Sequence, residues 1–126
     1  HGHQTGDWVL RHMVNLIKEQ VRSCDIVARY GGEEFVVALP STALHAAHEI
    51  AERLRKAICS SVIILPDKQL SISVSIGMAS LRDLPAVPQQ DADVICAALL
   101  ERADKALYEA KESGRNRVVV YTHPIP

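Results

Sequence analysis

The sequence predicts an α/β (α+β) two-layer sandwich, with helices packed on a mixed or mostly antiparallel sheet. Apolar residues recur at helical spacing in three separate segments. Between the helices stand short β-branched or aromatic runs, bounded by glycine, proline or aspartate. In chain order the elements read α-β-β-α-β-β-α-β, with no internal repeat and no linker.

The first helix rests on Val9, Leu10, Met13, Val14, Ile17 and Val21, with Asp7 near its start. Two strands follow, over 26–30 and 35–39, joined through Gly31 and Gly32. Pro40 closes the pair, and Ser41 or Thr42 is placed to cap the next helix. That helix turns Ala46, Ala47, Ile50, Ala51, Leu54 and Ile58 inward. A short strand is expected over 62–65, with Pro66, Asp67 and Lys68 as a turn. Leu70, Ile72, Val74 and Ile76 alternate with Ser71, Ser73 and Ser75, the pattern of one strand with one buried face. A proline-bearing loop covers 81–90. The last helix starts near Asp91 and carries Ile95, Leu99, Ala103, Ala106, Leu107 and Ala110 inward, with Gly114 just past its end. A final strand is expected over 118–121. The domain is taken as residues 1–121, with 122–126 a flexible tail.

The chain's 126 residues suffice for one core, and 48% hydrophobic with 23% charged residues is globular composition. A net charge of −1 gives no electrostatic reason to expect nucleic-acid binding. No apolar run has membrane-spanning length, and the polar, glycine-rich start does not read as a secretion signal. Cys24, Cys59 and Cys96 are odd in number and form no Cys-x-x-Cys, which reads as reduced thiols in a cytoplasmic protein.

Gly31-Gly32-Glu33-Glu34-Phe35 carries the most chemistry. Glycine supplies the positive φ of a tight hairpin and lets a ligand approach the backbone. Two adjacent carboxylates at a turn suit a hard divalent cation, which takes carboxylate and phosphate oxygens. A metal–phosphate site is one reading; an ordinary hairpin with solubilising acids is the other. His45 and His48 lie one helical turn apart, a spacing open to a soft metal, and read rather as an exposed helix face. His3 reads as a helix-start packing residue, and Trp8 as a core or interface anchor.

Four separated motifs extend this reading. They are Gly2-His3-x-x-Gly6-Asp7-x-x-Leu10, the run from Asp25 to Phe35, Ile76-Gly77, and Ala103-Asp104-Lys105-Ala106-Leu107-Tyr108-x-Ala110-Lys111-x-x-Gly114-Arg115-Asn116. In this order they resemble the GGDEF domains, the diguanylate cyclases, over nearly the whole chain. The resemblance implies a palm-like nucleotide cyclase fold. It also implies a reaction in which two domains face each other, each holding one GTP. The 3′-hydroxyl of each attacks the α-phosphate of the other, giving cyclic di-GMP and two pyrophosphates.

By the same resemblance, Glu33 would bind Mg²⁺ (or Mn²⁺) and help deprotonate the attacking hydroxyl, with Glu34 completing the metal site or holding the turn. Gly31 and Gly32 would leave room for the nucleotide. Asp7 would accept the guanine N1–H and N2–H, and Lys111 and Arg115 would hold the terminal phosphates. Taken alone, Asp7 would pass for a first-turn acid, and Lys111 and Arg115 for cations favoured at a helix C-terminus. Arg22-x-x-Asp25 matches the family's product-inhibition site, joined across a dimer by Arg53, where bound cyclic di-GMP would cross-link two domains. The competing reading is a surface ion pair.

Family members begin with a strand bearing Asp-x-Asp-x-Phe-Lys, then a helix and an Asn-Asp pair; no counterpart stands in this sequence. Two function classes follow. One is a diguanylate cyclase domain inhibited through Arg22 and Asp25 and driven by an upstream sensory domain, in a bacterial cytoplasmic or membrane-anchored parent. The other is a shortened, catalytically inactive domain that binds cyclic di-GMP at the same residues.

Overall fold

The computed structural model describes residues 2–83 and 91–122. The chain forms two compact units, His1–Ser73 and Val74–Pro126. Three helices and six strands occupy the described residues, and two of the three strand pairs are antiparallel, as the sequence-based fold class requires.

The first unit opens with α1 (Gly2–Gln20). A hairpin of β1 (Ile26–Gly31) and β2 (Glu34–Ala38) follows, then α2 (Leu44–Ser60). Two short antiparallel strands, β3 (Ile63–Ile64) and β4 (Gln69–Leu70), complete the unit. α1 packs against α2. The inward face of α2 is the one its periodicity predicts: Ala47, Ala51, Leu54 and Ile58 are buried beside Ile17, Ile63 and Leu65. Ile58 is fully buried, and each such side chain contributes roughly 1.5–3 kcal/mol of burial. His12 Nε2 lies 2.8 Å from Ser61 Oγ, which joins α1 to the end of α2, while the Ser61 hydroxyl donates to Ile58 O at 2.8 Å.

The second unit contains β5 (Ile76–Met78), a 3-10 turn over Leu81–Asp83, α3 (Ala92–Glu112) and β6 (Val118–Val120). β5 and β6 pair in parallel, with α3 as the connection that a parallel pair requires. α3 packs on both strands, burying Ala106 and Ala110. At Gly77 a Cβ would stand 2.2 Å from Ala103 O and 2.3 Å from Leu107 N, so only glycine permits this contact. Both ends of α3 follow the sequence. The Asp91 side chain accepts from Asp93 N as N-cap, and Gly114 at φ +128° ends the helix with Arg115 N bonded to Ala110 O at 2.9 Å.

Four local expectations change. The single strand expected over 70–76 is divided: β4 ends at Leu70, β5 starts at Ile76, and 71–75 joins no ladder. Alternation specifies a face, but a strand also needs a neighbour for its N–H and C=O groups. α1 begins at Gly2, so Asp7 lies in its second turn rather than its first. The α2 N-cap is Ala43 with no side-chain cap bond; neither Ser41 nor Thr42 caps the helix. Trp8 is 45% exposed and is not a core residue. Part of the loop expected over 81–90 and most of the expected tail lie outside the described residues, as does the His3 side chain.

Candidate functional site

The hairpin is built from β1 and β2 in antiparallel register, Ile26 opposite Ala38 through Arg29 opposite Phe35, with an irregularity before Gly31 opposite Glu34. Only Gly32 and Glu33 remain for the turn, and Gly32 takes φ +51°. The sequence suggested two acids at the tip. Glu33 alone occupies the turn and is exposed; Glu34 is the first residue of β2 and half-buried. Arg29 fastens this turn: its Nε and Nη2 donate to Gly32 O at 3.1 and 2.8 Å. A Cβ on Gly31 or Gly32 would meet nothing within 4 Å, so the backbone here is open to an incoming group. The donor set fits a hard dication, because Glu33 and Glu34 supply carboxylate oxygens and phosphate and water oxygens complete such a shell. Among the described residues no three His, Cys, Asp or Glu side chains gather, so this pair stands without a third protein ligand there.

Asp7 is exposed on α1, and the first turn of that helix carries no acid. Its position in the second turn weakens the helix-dipole explanation, since that effect fades beyond the first turn. Lys111 lies in the last turn of α3, and Arg115 follows at φ +63°; both are exposed residues of the second unit. Arg115 and Asn116 (φ +45°) continue the positive-φ backbone after Gly114, a conformation that is costly for arginine and tolerated by asparagine. His45 is exposed and His48 half-buried on α2.

A cluster of polar groups surrounds Arg22. Its Nη2 donates to Asp25 Oδ1 at 2.8 Å and its Nε to Asp25 Oδ2 at 3.3 Å. The Arg22 backbone N–H also donates to Asp25 Oδ2, at 2.7 Å. Nη2 further donates to Pro40 O at 3.1 Å and to the Thr42 hydroxyl, which in turn donates to Pro40 O at 2.9 Å. The Asp25 side chain is fully covered, whereas that of Arg22 is 48% exposed. Hydrogen bonding from Arg22 holds the Asp25 carboxyl below its ordinary range, and the carboxylate raises the Arg22 guanidinium in return. Lys18, Val21, Arg22, Ser23, Asp25 and Val27 line a cavity of about 480 Å³ beside this cluster.

Arg53, on α2, donates from Nε to Gln20 Oε1 at 2.7 Å and from Nη2 to Gln20 O at 3.3 Å. It is thereby tied to the end of α1, two residues before Arg22. Sequence reasoning named Arg22, Asp25 and Arg53 but missed the groups that hold them: Thr42, the Pro40 carbonyl and Gln20. It also missed Arg29 behind the turn. Thr42, the Pro40 carbonyl and Gln20 carry no signal in sequence, because their partners lie 18 to 33 residues away, and Arg29 bonds a backbone carbonyl, which no residue type announces.

The family model for the diguanylate cyclase GGDEF domain matches residues 1–117. Diguanylate cyclase A of Treponema denticola is 41% identical over 127 aligned positions, covering 100% of this chain and 32% of that protein. The response regulator PleD of Caulobacter vibrioides is 42% identical over 120 positions, covering 94% of this chain and 25% of that protein. The chain thus spans a third or less of these relatives' length. Among solved structures, the active GGEEF domain of a diguanylate cyclase from Vibrio cholerae superposes with a TM-score of 0.80 at 29% identity, covering 98% of this chain and 72% of that one. The GGDEF domain of DgcB from Caulobacter crescentus, in complex with c-di-GMP, gives 0.80 at 33% identity, covering 95% and 67%. With these matches over nearly its whole length, and with the glycine–glutamate turn at the tip of its hairpin, this chain belongs to the diguanylate cyclase GGDEF-domain family.

Proposed function

We propose that the protein carrying this chain condenses two GTP molecules into cyclic di-GMP. The open Gly31–Glu34 turn, strapped by Arg29 and presenting Glu33, is the observation that carries this reading. Each GTP 3′-oxygen bonds to the α-phosphorus of the other molecule as the bond to pyrophosphate breaks, and the hydroxyl proton passes to a base. Glu33 is that base and, with Glu34, the seat of Mg²⁺ or Mn²⁺, which neutralises phosphate charge when bound. Asp7 accepts from the guanine edge, Gly31 and Gly32 admit the nucleotide, and Lys111 and Arg115 hold terminal phosphates. Two copies are required, because each donates the hydroxyl that attacks the other's nucleotide. Residues 1–121 belong to this domain, which works in the bacterial cytoplasm under an upstream sensory domain.

The half-exposed guanidinium of Arg22, fixed on Asp25, supports a product-binding role for this pair with Arg53. That cluster also favours a second reading, a receptor that binds cyclic di-GMP without making it. Incubation with GTP and Mg²⁺, followed by chromatography of the nucleotides, separates the two. Cyclic di-GMP formed by the unaltered protein, and at least 100-fold less by Glu33→Ala, supports the enzyme; binding without turnover supports the receptor.

A further inference from the structure

We propose that the Thr42 hydroxyl is the positioning group for Arg22, holding its guanidinium so that one edge stays available to a guanine or phosphate of cyclic di-GMP. The inference rests on the reading of Arg22 and Asp25 as the product-binding pair.

The hydrogen-bond directions support this role. Thr42 donates its only hydroxyl hydrogen to Pro40 O, so towards Arg22 it acts as an acceptor. Arg22 Nη2 brings two N–H bonds to three acceptors, Asp25 Oδ1, Pro40 O and Thr42 Oγ1. Nε is taken by Asp25 Oδ2. Among the described residues Nη1 has no hydrogen bond, and the side chain is half exposed. The ligand-facing part of the guanidinium is therefore defined by what Thr42 and Asp25 occupy.

Neither partner suffices alone. Asp25 is three residues from Arg22 and fixes one edge of the fork, but the pair sits in the connection after α1. Thr42 and Pro40 belong to the connection between β2 and α2, eighteen to twenty residues further on. Their contact ties the two connections together. The backbone is shaped for it: Ser41, between the two acceptors, takes φ +51°, an unfavourable conformation for a residue with a side chain. Neither Ser41 nor Thr42 is used as a helix cap, so the Thr42 hydroxyl is committed to Arg22 and Pro40. Holding an arginine in its binding rotamer before the ligand arrives removes an entropic cost from binding.

Thr42→Val keeps the shape and deletes the hydroxyl; Thr42→Ser keeps the hydroxyl. The test is calorimetric titration of the protein with cyclic di-GMP, paired with NMR of the Arg22 guanidinium. Thr42→Val is expected to weaken binding about five- to tenfold, the size of one hydrogen bond's net effect, with Thr42→Ser restoring it. In the unliganded protein, rotation about the Arg22 Cζ–Nη2 bond is expected to be slow in the parent and in Thr42→Ser, and measurably faster in Thr42→Val, where only Asp25 Oδ1 and Pro40 O remain on Nη2. Thermal unfolding of the same variants separates the two roles: a change in Nη2 rotation and affinity with an unchanged midpoint is positioning, and a change that only follows a lowered midpoint is loop stability and overturns the proposal. Should Thr42→Val not fold, Thr42→Ala carries the same comparison. Arg22→Ala separates the two levels of the argument. If Arg22→Ala loses binding while Thr42→Val binds as the parent does, or more tightly, the positioning role is wrong and the product-site reading stands. If Arg22→Ala binds unchanged, both are wrong.

Discussion

Arg22 and Asp25 are joined by three hydrogen bonds, two from the guanidinium and one from the Arg22 backbone. An Arg-x-x-Asp spacing is compatible with a loose surface ion pair, which contributes little. Here the carboxylate is covered and receives both the side chain and the backbone N–H of Arg22. Hydrogen bonding from Arg22 lowers the Asp25 pKa from its ordinary value. For a depressed carboxyl the sign is fixed: the stabilisation is present above the unfolded-state pKa and is lost as pH falls through the lower folded-state value. The Asp25 carboxyl carbon, followed by NMR, should therefore titrate below the ordinary aspartate range, and Arg22→Ala should return it to that range. An unchanged midpoint in Arg22→Ala would mean that Arg22 is not the cause. Asp25 was legible from its spacing to Arg22. The residue types of Ser41 and Thr42 favour helix caps, and only the distant partner of Thr42 reveals its other use.

At the level of elements, helices were more legible than strands. The buried face of α2 and both ends of α3 follow from local signals: apolar spacing, an Asp91 cap and a glycine at 114. Strand limits depend on partners far away in sequence, so the alternating run from Leu70 to Ile76 forms strand only at its ends. The short strand β5 is held by a contact that glycine alone allows. Gly77→Ala would drive a methyl group into the α3 backbone at Ala103 and Leu107. Backbone atoms cannot swing aside as a flexible side chain can. The expected loss is about 3 kcal/mol, at the upper end of overpacking costs, measured by urea denaturation. Stability within about 0.5 kcal/mol of the parent would show that α3 and β5 do not pack this closely.

For the whole molecule, the proposed chemistry demands two copies, and a product with two guanines can bridge them. Sedimentation velocity of the protein with added cyclic di-GMP is expected to show a shift from monomer to dimer, absent in Arg22→Ala. A parent protein that stays monomeric at saturating cyclic di-GMP would remove cross-linking from the account. The family, the helical faces, the hairpin and the identity of the charged residues are all legible without coordinates, because these depend on residue type and short spacing. Tertiary structure alone decided that Glu33 occupies the turn while Glu34 opens a strand. It also decided that Arg29 straps that turn, and that Arg22 and Arg53 are held by Thr42 and Gln20. Hydrogen bonds between residues 20 to 33 positions apart leave no periodic trace in a chain, and only folding brings those partners within reach.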